Sequence, residues 1–222
     1  MKLFFHYCPA GFCNCYVVGS DYNEEDTLDG GQPEKSPPGH PPVREALVID
    51  PGSMDEQILS FIEDNEYIVR AVLVTHDHAN HVHGLRTLRR IYDAEIYGVN
   101  HVIHEIRTTM VRDGDLIRAG SFEIAVISVP GHSSDSAVFR INHLLFTGDA
   151  LSAGLVGRTA SSYGAAVQMN ALRSKVLSLP GNYLVFPGHG PPTSLETERH
   201  FNAGVQWYDQ TRNRRPLFKL GI

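Results

Sequence analysis

Short apolar runs that end in turn residues recur along the chain and predict buried β-strands. The clearest runs cover residues 71–74, 125–129, 144–146 and 183–186, and each is followed by a turn that carries His or Asp. Apolar runs of this length, bounded by turn signals, are typical of strands buried in a sheet. We therefore expect a sheet whose polar side chains gather where these strands end.

The rest of the pattern predicts alternating strands and helices in the first half and a largely antiparallel second half. Strands are expected at about 2–6, 14–18, 46–49, 69–74, 95–98, 116–119, 121–129, 136–141, 144–147 and 183–186. Helices are expected to end near residues 64 and 92, to cover 101–110 and 167–179, and to begin near 195. The first helix is expected to open at a capping box formed by Ser53 and Glu56.

Composition and charge narrow the class of protein. The chain has 222 residues, of which 42% are hydrophobic and 20% charged, and its formal net charge is −6. These values are typical of a globular protein, and the length predicts one domain over residues 1–222. The negative balance argues against a nucleic-acid groove, and the short basic run at 212–215 is expected to be a solvated tail.

One segment interrupts the strand pattern. Residues 21–44 are rich in Asp, Glu, Pro and Gly. Because a segment with so little apolar surface cannot bury a core of its own, we interpret it as a surface insertion. A passive loop and a flap over the mouth of a site both remain open.

The N-terminal region bears on the compartment of the protein. His6 interrupts the apolar start, and no later run approaches the roughly 20 apolar residues that a membrane span needs. We therefore predict a cytoplasmic protein without a membrane partner. Cys8, Cys13 and Cys15 are an odd number close together, which favours reduced thiols over a disulfide framework.

The candidate chemistry begins at residues 75–81, Thr-His-Asp-His-Ala-Asn-His, directly after the first of the apolar runs. Imidazoles at this spacing, on a loop and the first turn of the next helix, can converge at the carboxyl end of the strand. Neutral imidazole nitrogens are common ligands of zinc and related ions. The spacing therefore predicts a metal site that takes further ligands from elsewhere in the chain.

Three further residues stand in equivalent places. His132 follows the run at 125–129, Asp149 follows 144–146, and His189 follows 183–186. A single histidine after a strand is more often structural than a ligand. The joint pattern favours a metal centre built from the ends of several strands.

The order and spacing of these residues resemble the metallo-β-lactamase-fold hydrolases, and among them the short single-domain glyoxalase II-like (hydroxyacylglutathione hydrolase-like) thioesterases. Gly-Arg-Thr at 157–159 and Pro-Gly-His-Gly-Pro at 187–191 extend the match over nearly the whole chain apart from the insertion. The resemblance implies an α/β fold, an αββα sandwich. It implies that one ion is held by His76, His78 and His132, and a second by position 80, His81 and His189, with Asp149 bridging both. It also gives position 80 and Asp149 catalytic roles.

The resemblance further implies a cofactor and a reaction. The expected cofactor is zinc, as one or two divalent ions, with iron or manganese as alternatives. Two such ions lower the pKa of a shared water toward roughly 7 and polarise a carbonyl. A thioester suits this chemistry because its thiolate leaves without strong acid help. The sequence has no Gly-x-Ser-x-Gly elbow, which favours water over a covalent nucleophile.

Two residues outside the metal motif are candidate substrate contacts. Arg158 has a planar guanidinium that could pair with a substrate carboxylate, and Tyr163 could donate a hydrogen bond. Plain surface positions are the alternative for both.

Two departures from the family pattern affect the expected chemistry. The family carries Asp where this chain has Asn80, and a neutral amide gives a second ion no negative ligand. We therefore expect the second ion to be weakly held. Residues 190–222 are also too few for the additional helical domain with which two-domain glyoxalase II enzymes bind glutathione, so glutathione recognition is not expected to carry over.

Other functions remain open at this point. Persulfide dioxygenases, which the chain resembles in fold, use a single iron held by two His and one Asp, so an oxidoreductase is the main alternative. A low-activity metal-binding homologue is a further alternative because of Asn80. The expected partner is a small-molecule thioester, with the protein as a monomer or homodimer.

Overall fold

The computed structural model describes residues 1–9, 11–20 and 43–213. The predicted insertion at 21–44 therefore lies outside the described residues apart from Val43 and Arg44. The second half of the basic run at 212–215 lies outside them as well. The single-domain assignment stays a prediction.

The elements alternate between strand and helix in the first half and are mainly strands in the second. The first half contains β1 (Lys2–Cys8), β2 (Cys13–Gly19), β3 (Glu45–Ile49), α1 (Glu56–Asp64), β4 (Ile68–Leu73), α2 (Ala79–Val82), α3 (Leu85–Ile91), β5 (Glu95–Gly98), β6 (Val102–Ile103), β7 (Ile106–Arg107) and β8 (Thr109–Met110). The second half contains β9 (Leu116–Ala119), β10 (Phe122–Ser128), β11 (Ala137–Ile141), β12 (Leu144–Gly148), β13 (Leu151–Ser152), β14 (Leu155–Val156), α4 (Ser162–Ala171), a π-helical segment (Leu172–Val176), β15 (Leu184–Pro187), β16 (Thr193–Ser194), α5 (Leu195–Phe201) and α6 (Ala203–Asn213).

Two six-stranded sheets carry the fold. The first has the order β1-β2-β3-β4-β5-β8, and the second has the order β16-β15-β12-β11-β10-β9. In the first sheet β3, β4, β5 and β8 run parallel. In the second, β12 and β15 run parallel and β10 shares their direction, because β11 is antiparallel to both of its neighbours. The carboxyl ends of β10, β12 and β15 therefore meet at one edge.

The two sheets pack face to face and helices cover their outer faces. The inner core contains aromatic side chains from both sheets, and the rings of Tyr16 and Phe146 meet edge-on with centroids 5.4 Å apart. Ile58 of α1 and Leu85 of α3 pack on the outside of the first sheet, and Leu195 of α5 packs on the second. Each such buried side chain contributes on the order of 1.5–3 kcal/mol to folding. The predicted αββα sandwich is confirmed.

The prediction of a helix at 101–110 is wrong, because this segment forms the short strands β6, β7 and β8. His104 and Glu105 have left-handed backbone conformations, with φ of 46° and 65°, and they turn the chain between β6 and β7. The buried side chains of Ile103 and Ile106 lie on either side of that turn. His101 and His104 are therefore exposed residues of a hairpin and not of a helix surface.

Three other helix boundaries differ from the prediction. The N-cap of α1 is Asp55, which accepts from the backbone of Ile58, while Ser53 donates to the Asp55 carboxylate. The helix expected to run to residue 92 is divided into α2 and α3 at Gly84. The helix expected at 167–179 begins earlier, because Ser161 caps α4, and it continues as the π-helical segment.

Within the described residues, no helix combines the length and apolar character that crossing a membrane requires.

Candidate metal centre

The site lies where the carboxyl ends of strands from both sheets meet. The loop after β4 carries His76 and His78, and α2 carries His81. From the second sheet, the turns after β10, β12 and β15 carry His132, Asp149 and His189. Because parallel strands deliver their C-terminal loops to one edge, residues far apart in sequence converge there.

Three of the histidines direct ring nitrogens at one point. His78 Nδ1 lies 2.9 Å from His76 Nε2 and 3.1 Å from His132 Nε2. A neutral imidazole carries one ring proton, so His78 can donate to at most one of these two nitrogens. At least one of the two contacts, His78–His76 or His78–His132, therefore has no proton between its nitrogens.

The opposite ring nitrogens are held by acceptors. His132 Nδ1 donates to the Arg158 carbonyl at 2.8 Å, and His189 Nδ1 donates to the Phe12 carbonyl at 2.7 Å. His76 Nδ1 lies 3.1 Å from Thr75 Oγ1, whose own proton is donated to Asp50. Because the outer nitrogen of each ring holds the proton, the inner Nε2 is left as a metal-ligating lone pair.

Asp149 lies between the histidines of the two sheets. Its Oδ2 is 3.5 Å from His132 Nε2 and 3.4 Å from His189 Nε2. Its Oδ1 is 3.4 Å from His81 Nε2. These separations exceed ordinary hydrogen-bond lengths, and one carboxylate therefore faces three imidazoles without bonding closely to any of them.

Gly188 allows this approach. A Cβ atom at this position would lie 2.4 Å from His81 Cε1 and 2.5 Å from Asp149 Oδ1. Any larger residue would therefore push these two side chains apart.

Asn80 occupies the position where the family carries Asp. Its Nδ2 lies 3.0 Å from His189 Nε2, so the amide end of the side chain faces the ring nitrogen that would bind an ion. The carbonyl of Asn80 accepts from the Cys13 thiol at 2.9 Å, which fixes its backbone. Residue 80 therefore lies at the site, and its side-chain NH₂ group points toward His189.

Charge is distributed unevenly over the cluster. Burial lowers the pKa of His76 to about 3, helped by the charge of His81. Burial by itself also lowers the pKa of His81, but the negative charges of Asp149 and Asp50 and the hydrogen bond to Asp50 outweigh it and raise the value to about 10. Burial raises the pKa of Asp149, but the nearby His81 and the other histidines bring it down to about 2. Without an ion, His81 is therefore protonated at neutral pH and lies between the carboxylates of Asp50 and Asp149.

These residues fit a divalent metal ion. His76, His78 and His132 present ligand atoms within 4.8 Å of one another, and so do His76, His81 and Asp149. His81 Nε2 and Asp149 Oδ1 are buried without a hydrogen-bond partner in the described part of the chain. Metal–ligand bonds of about 2.0–2.2 Å in a tetrahedral arrangement place ligand atoms about 3.4 Å apart. The separations around Asp149 match that value.

The two predicted substrate contacts lie beside the cluster. The Arg158 carbonyl holds His132, while the Arg158 side chain is exposed. Tyr163, in the first turn of α4, is 79% exposed. Within the described residues neither side chain forms a hydrogen bond with the histidines, and their role in binding stays a prediction. His83 is exposed and lies outside the cluster.

Asp50 is a site residue that the sequence reasoning missed. It follows β3, beside β4, and accepts from Thr75 N at 2.8 Å and Thr75 Oγ1 at 2.7 Å, while its Oδ2 lies 3.0 Å from His81 Nδ1. Asn14 was also missed: its side chain donates to the carbonyls of Pro187 and Gly190 on either side of His189. The available signal for Asp50 was an Asp directly after an apolar strand, at the same edge as the histidine loop.

Comparison with known proteins finds relatives that are similar to this chain in sequence and in structure. A hydroxyacylglutathione hydrolase of Yersinia enterocolitica is 31% identical over 66% of this chain and 57% of its own length. The crystal structure of ETHE1 from Myxococcus xanthus is 27% identical with a TM-score of 0.73, covering 92% of this chain and 84% of that one. A di-iron-bound form of TTHA1623 is 26% identical with a TM-score of 0.67, covering 90% of this chain and 98% of that one.

The family model of the metallo-β-lactamase superfamily matches residues 43–189, a range that contains every residue of the cluster. The chain therefore belongs to the metallo-β-lactamase superfamily, whose members are generally metal-dependent hydrolases.

Proposed function

We propose that the chain is a metal-dependent hydrolase of small-molecule thioesters, in which water is the nucleophile. The observation that carries this proposal is the set of inner nitrogens on His76, His132 and His189, each backed by an outer nitrogen that holds the proton. A structural histidine needs no such common orientation. Similarity to a hydroxyacylglutathione hydrolase supports the thioester as substrate, over the part of the chain that it covers.

The ligands proposed for the ion are His76, His78, His81, His132, Asp149 and His189. A divalent ion bound there would supply Lewis acidity, lowering the pKa of coordinated water and polarising the substrate carbonyl. Zinc, iron and manganese all accept such imidazole and carboxylate donors.

The protein's own groups prepare the site for this reaction. Asp149, with a pKa of about 2, stays ionised at neutral pH and offers a negative charge between the two groups of histidines. Asp50 orients His81, and the carbonyl of Arg158 orients His132. The exposed guanidinium of Arg158 is proposed to pair with a carboxylate on the substrate, which would position the thioester beside the cluster.

Asn80 supports a second candidate function. Its neutral amide offers no anionic ligand, and its Nδ2 faces His189 Nε2 at 3.0 Å. A site that holds one ion tightly would also suit a mononuclear-iron oxidoreductase of the persulfide dioxygenase type. Retention of the other ligands weighs against a protein without activity.

The hydrolase proposal is tested by assaying the purified protein with S-lactoylglutathione and other acyl-thioesters. We expect turnover that is abolished by a chelator and restored by zinc, manganese or iron. Oxygen uptake with glutathione persulfide, measured on the same iron-loaded preparation, tests the second candidate. Persulfide-dependent oxygen uptake without thioester turnover would replace the hydrolase by the oxidoreductase.

A further inference from the structure

Asp135 lies in the loop between β10 and β11, three residues after the proposed ligand His132. It is only 4% exposed, and it forms no ion pair with any of the described residues. A carboxylate removed from water is unfavourable unless hydrogen bonds compensate for the lost solvation. The groups that donate to Asp135 therefore show which parts of the chain it holds.

Three donors from three places in the chain meet on this carboxylate. The backbone N–H of Asp77, after β4, and the side-chain amide of Asn100, after β5, each donate to Oδ2 at 2.9 Å. The hydroxyl of Ser133 donates to Oδ1. Asp77 directly precedes His78 in the chain, and the third donor directly follows His132. One side chain thus connects the loops that carry two of the proposed ligands.

His78 lacks the support that the other proposed histidine ligands have. Its Nδ1 is the nitrogen that faces His76 and His132, and within the described residues its Nε2 has no hydrogen-bond partner. The residue is also exposed. Because no acceptor outside the cluster orients this imidazole, the backbone that carries it must set its position.

The backbone just before His78 is held from the second sheet. The N–H of Ala137, at the start of β11, donates to the carbonyl of Thr75 at 2.9 Å. Two residues further along the histidine loop, Asp77 donates to Asp135. These two bonds hold the histidine loop of the first sheet against the loop between β10 and β11.

We propose that Asp135 is a positioning residue that sets the separation of His78 and His132 and thereby the affinity of the first metal site. It acts through its hydrogen bonds to Asp77 and Ser133, and it forms no hydrogen bond with either imidazole. This role rests on the metal centre of the proposed function and does not require that a thioester is hydrolysed.

Two substitutions separate the hydrogen bonds of Asp135 from its charge. Asp135→Ala removes all three hydrogen bonds. In Asp135→Asn the amide oxygen can still accept from Asp77 and Asn100, and the NH₂ group can donate to the hydroxyl of Ser133. We expect the affinity for a divalent ion to fall about 10–100-fold in Asp135→Ala and to stay close to that of the unsubstituted protein in Asp135→Asn.

Glu198→Ala is the matched control. Glu198 is 1% exposed, and its carboxylate also accepts from three residues, Gly154, Thr193 and Asn202. None of these three is next to a proposed ligand in the chain. Both alanine variants should be less stable in urea, whereas only Asp135→Ala should bind the ion more weakly.

Competition between a chelator and the full-length protein for cobalt(II) gives the affinity, and the visible spectrum of the bound cobalt reports the geometry of its ligands. At saturating cobalt we expect a changed spectrum for Asp135→Ala and an unchanged one for Asp135→Asn and Glu198→Ala. A loss of stability alone would not change that spectrum. Ser133→Ala removes one donor only, and it should lower the affinity less and change the spectrum in the same direction.

Equal cobalt affinities of Asp135→Ala and Glu198→Ala would overturn the role of Asp135 and leave the metal centre in place. A loss in Asp135→Asn as large as that in Asp135→Ala would also overturn it, because the charge and not the hydrogen bonds would then be responsible. If Asp135→Ala does not fold, an unchanged affinity and spectrum of Ser133→Ala would have the same meaning. Absence of cobalt binding by the unsubstituted protein would contradict the metal centre itself and this role with it.

Discussion

The Nδ1 atom of His81 lies 3.0 Å from the Oδ2 atom of Asp50, and both side chains are buried. The same carboxylate accepts from the backbone and the hydroxyl of Thr75, which in turn lies against His76. One carboxylate thus orients two of the proposed ligands. Partners of this kind typically change metal affinity by 10–100-fold.

Replacing Asp50 with Asn should therefore weaken metal binding by about 10–100-fold. The amide retains the shape but turns one acceptor into a donor, so it cannot serve both Thr75 and His81. Competition with a chelator of known affinity gives the measurement, and Asp93→Asn, at an exposed position, is the matched control. Equal metal affinities for the two variants would show that Asp50 does not support the ligands.

Asn80→Asp should increase both the metal content and the thioesterase activity. A carboxylate at this position supplies the negative charge that the amide lacks, next to His189. Elemental analysis and a hydrolysis assay on the same samples provide the measurement. Asn170→Asp introduces the same charge at an exposed site and should change neither. Two tightly held ions per chain in the Asn80 form would contradict the weak second site.

The stability of the metal-free protein should be greatest near pH 6.5. The pKa of His76 is lowered from 6.5 to about 3, so between these values the unfolded chain binds a proton that the folded protein does not. Stability then falls as the pH falls, by up to roughly 1.4 kcal/mol per pH unit. The pKa of His81 is raised from 6.5 to about 10, so its contribution is complete below 6.5 and is lost as the pH rises toward 10.

Urea denaturation of chelator-treated protein at about pH 5, 6.5 and 9 measures both limbs of this profile. His76→Asn should flatten the acid limb and leave the alkaline limb in place. Stability that rises steadily from pH 6.5 to 9 would contradict the ion pair between His81 and its carboxylates.

Arg158→Ala should raise KM for a thioester that carries a carboxylate, by about tenfold, and leave the metal content unchanged. The reason is that only the backbone carbonyl of Arg158 holds His132, and the substitution retains it. Steady-state kinetics with thioesters that carry or lack the carboxylate measure the effect. Arg118→Ala, at an exposed position of β9, is the control. A loss of metal from Arg158→Ala would instead show that the Arg158 side chain supports the metal centre.

The sheets and the cluster followed from the sequence because their signals are local. Each strand is an apolar run, and each proposed ligand stands directly after one, as His132 does after β10. The direction of parallel strands then predicts the convergence that the structure shows. The prediction of a helix at 101–110 failed for a different reason. The turn there depends on left-handed backbone conformations at His104 and Glu105, and neither residue type predicts such a conformation.

The supporting contacts could not be predicted in the same way. The carbonyls of Phe12 and Arg158 hold His189 and His132, but any residue supplies a carbonyl, so no sequence signal exists for them. The inward amide of Asn80 and the hydrogen bonds to Asp135 likewise depend on where neighbouring loops pass. Such contacts require the packed structure.

The most direct test of the central claim, that the histidine and aspartate cluster holds the metal, is the metal content per chain of His78→Ala. His101→Ala removes an exposed histidine away from the cluster and is the control. Elemental analysis of both variants after loading with zinc should show at least one ion fewer per chain in His78→Ala than in His101→Ala. Equal metal content in the two variants would contradict the claim.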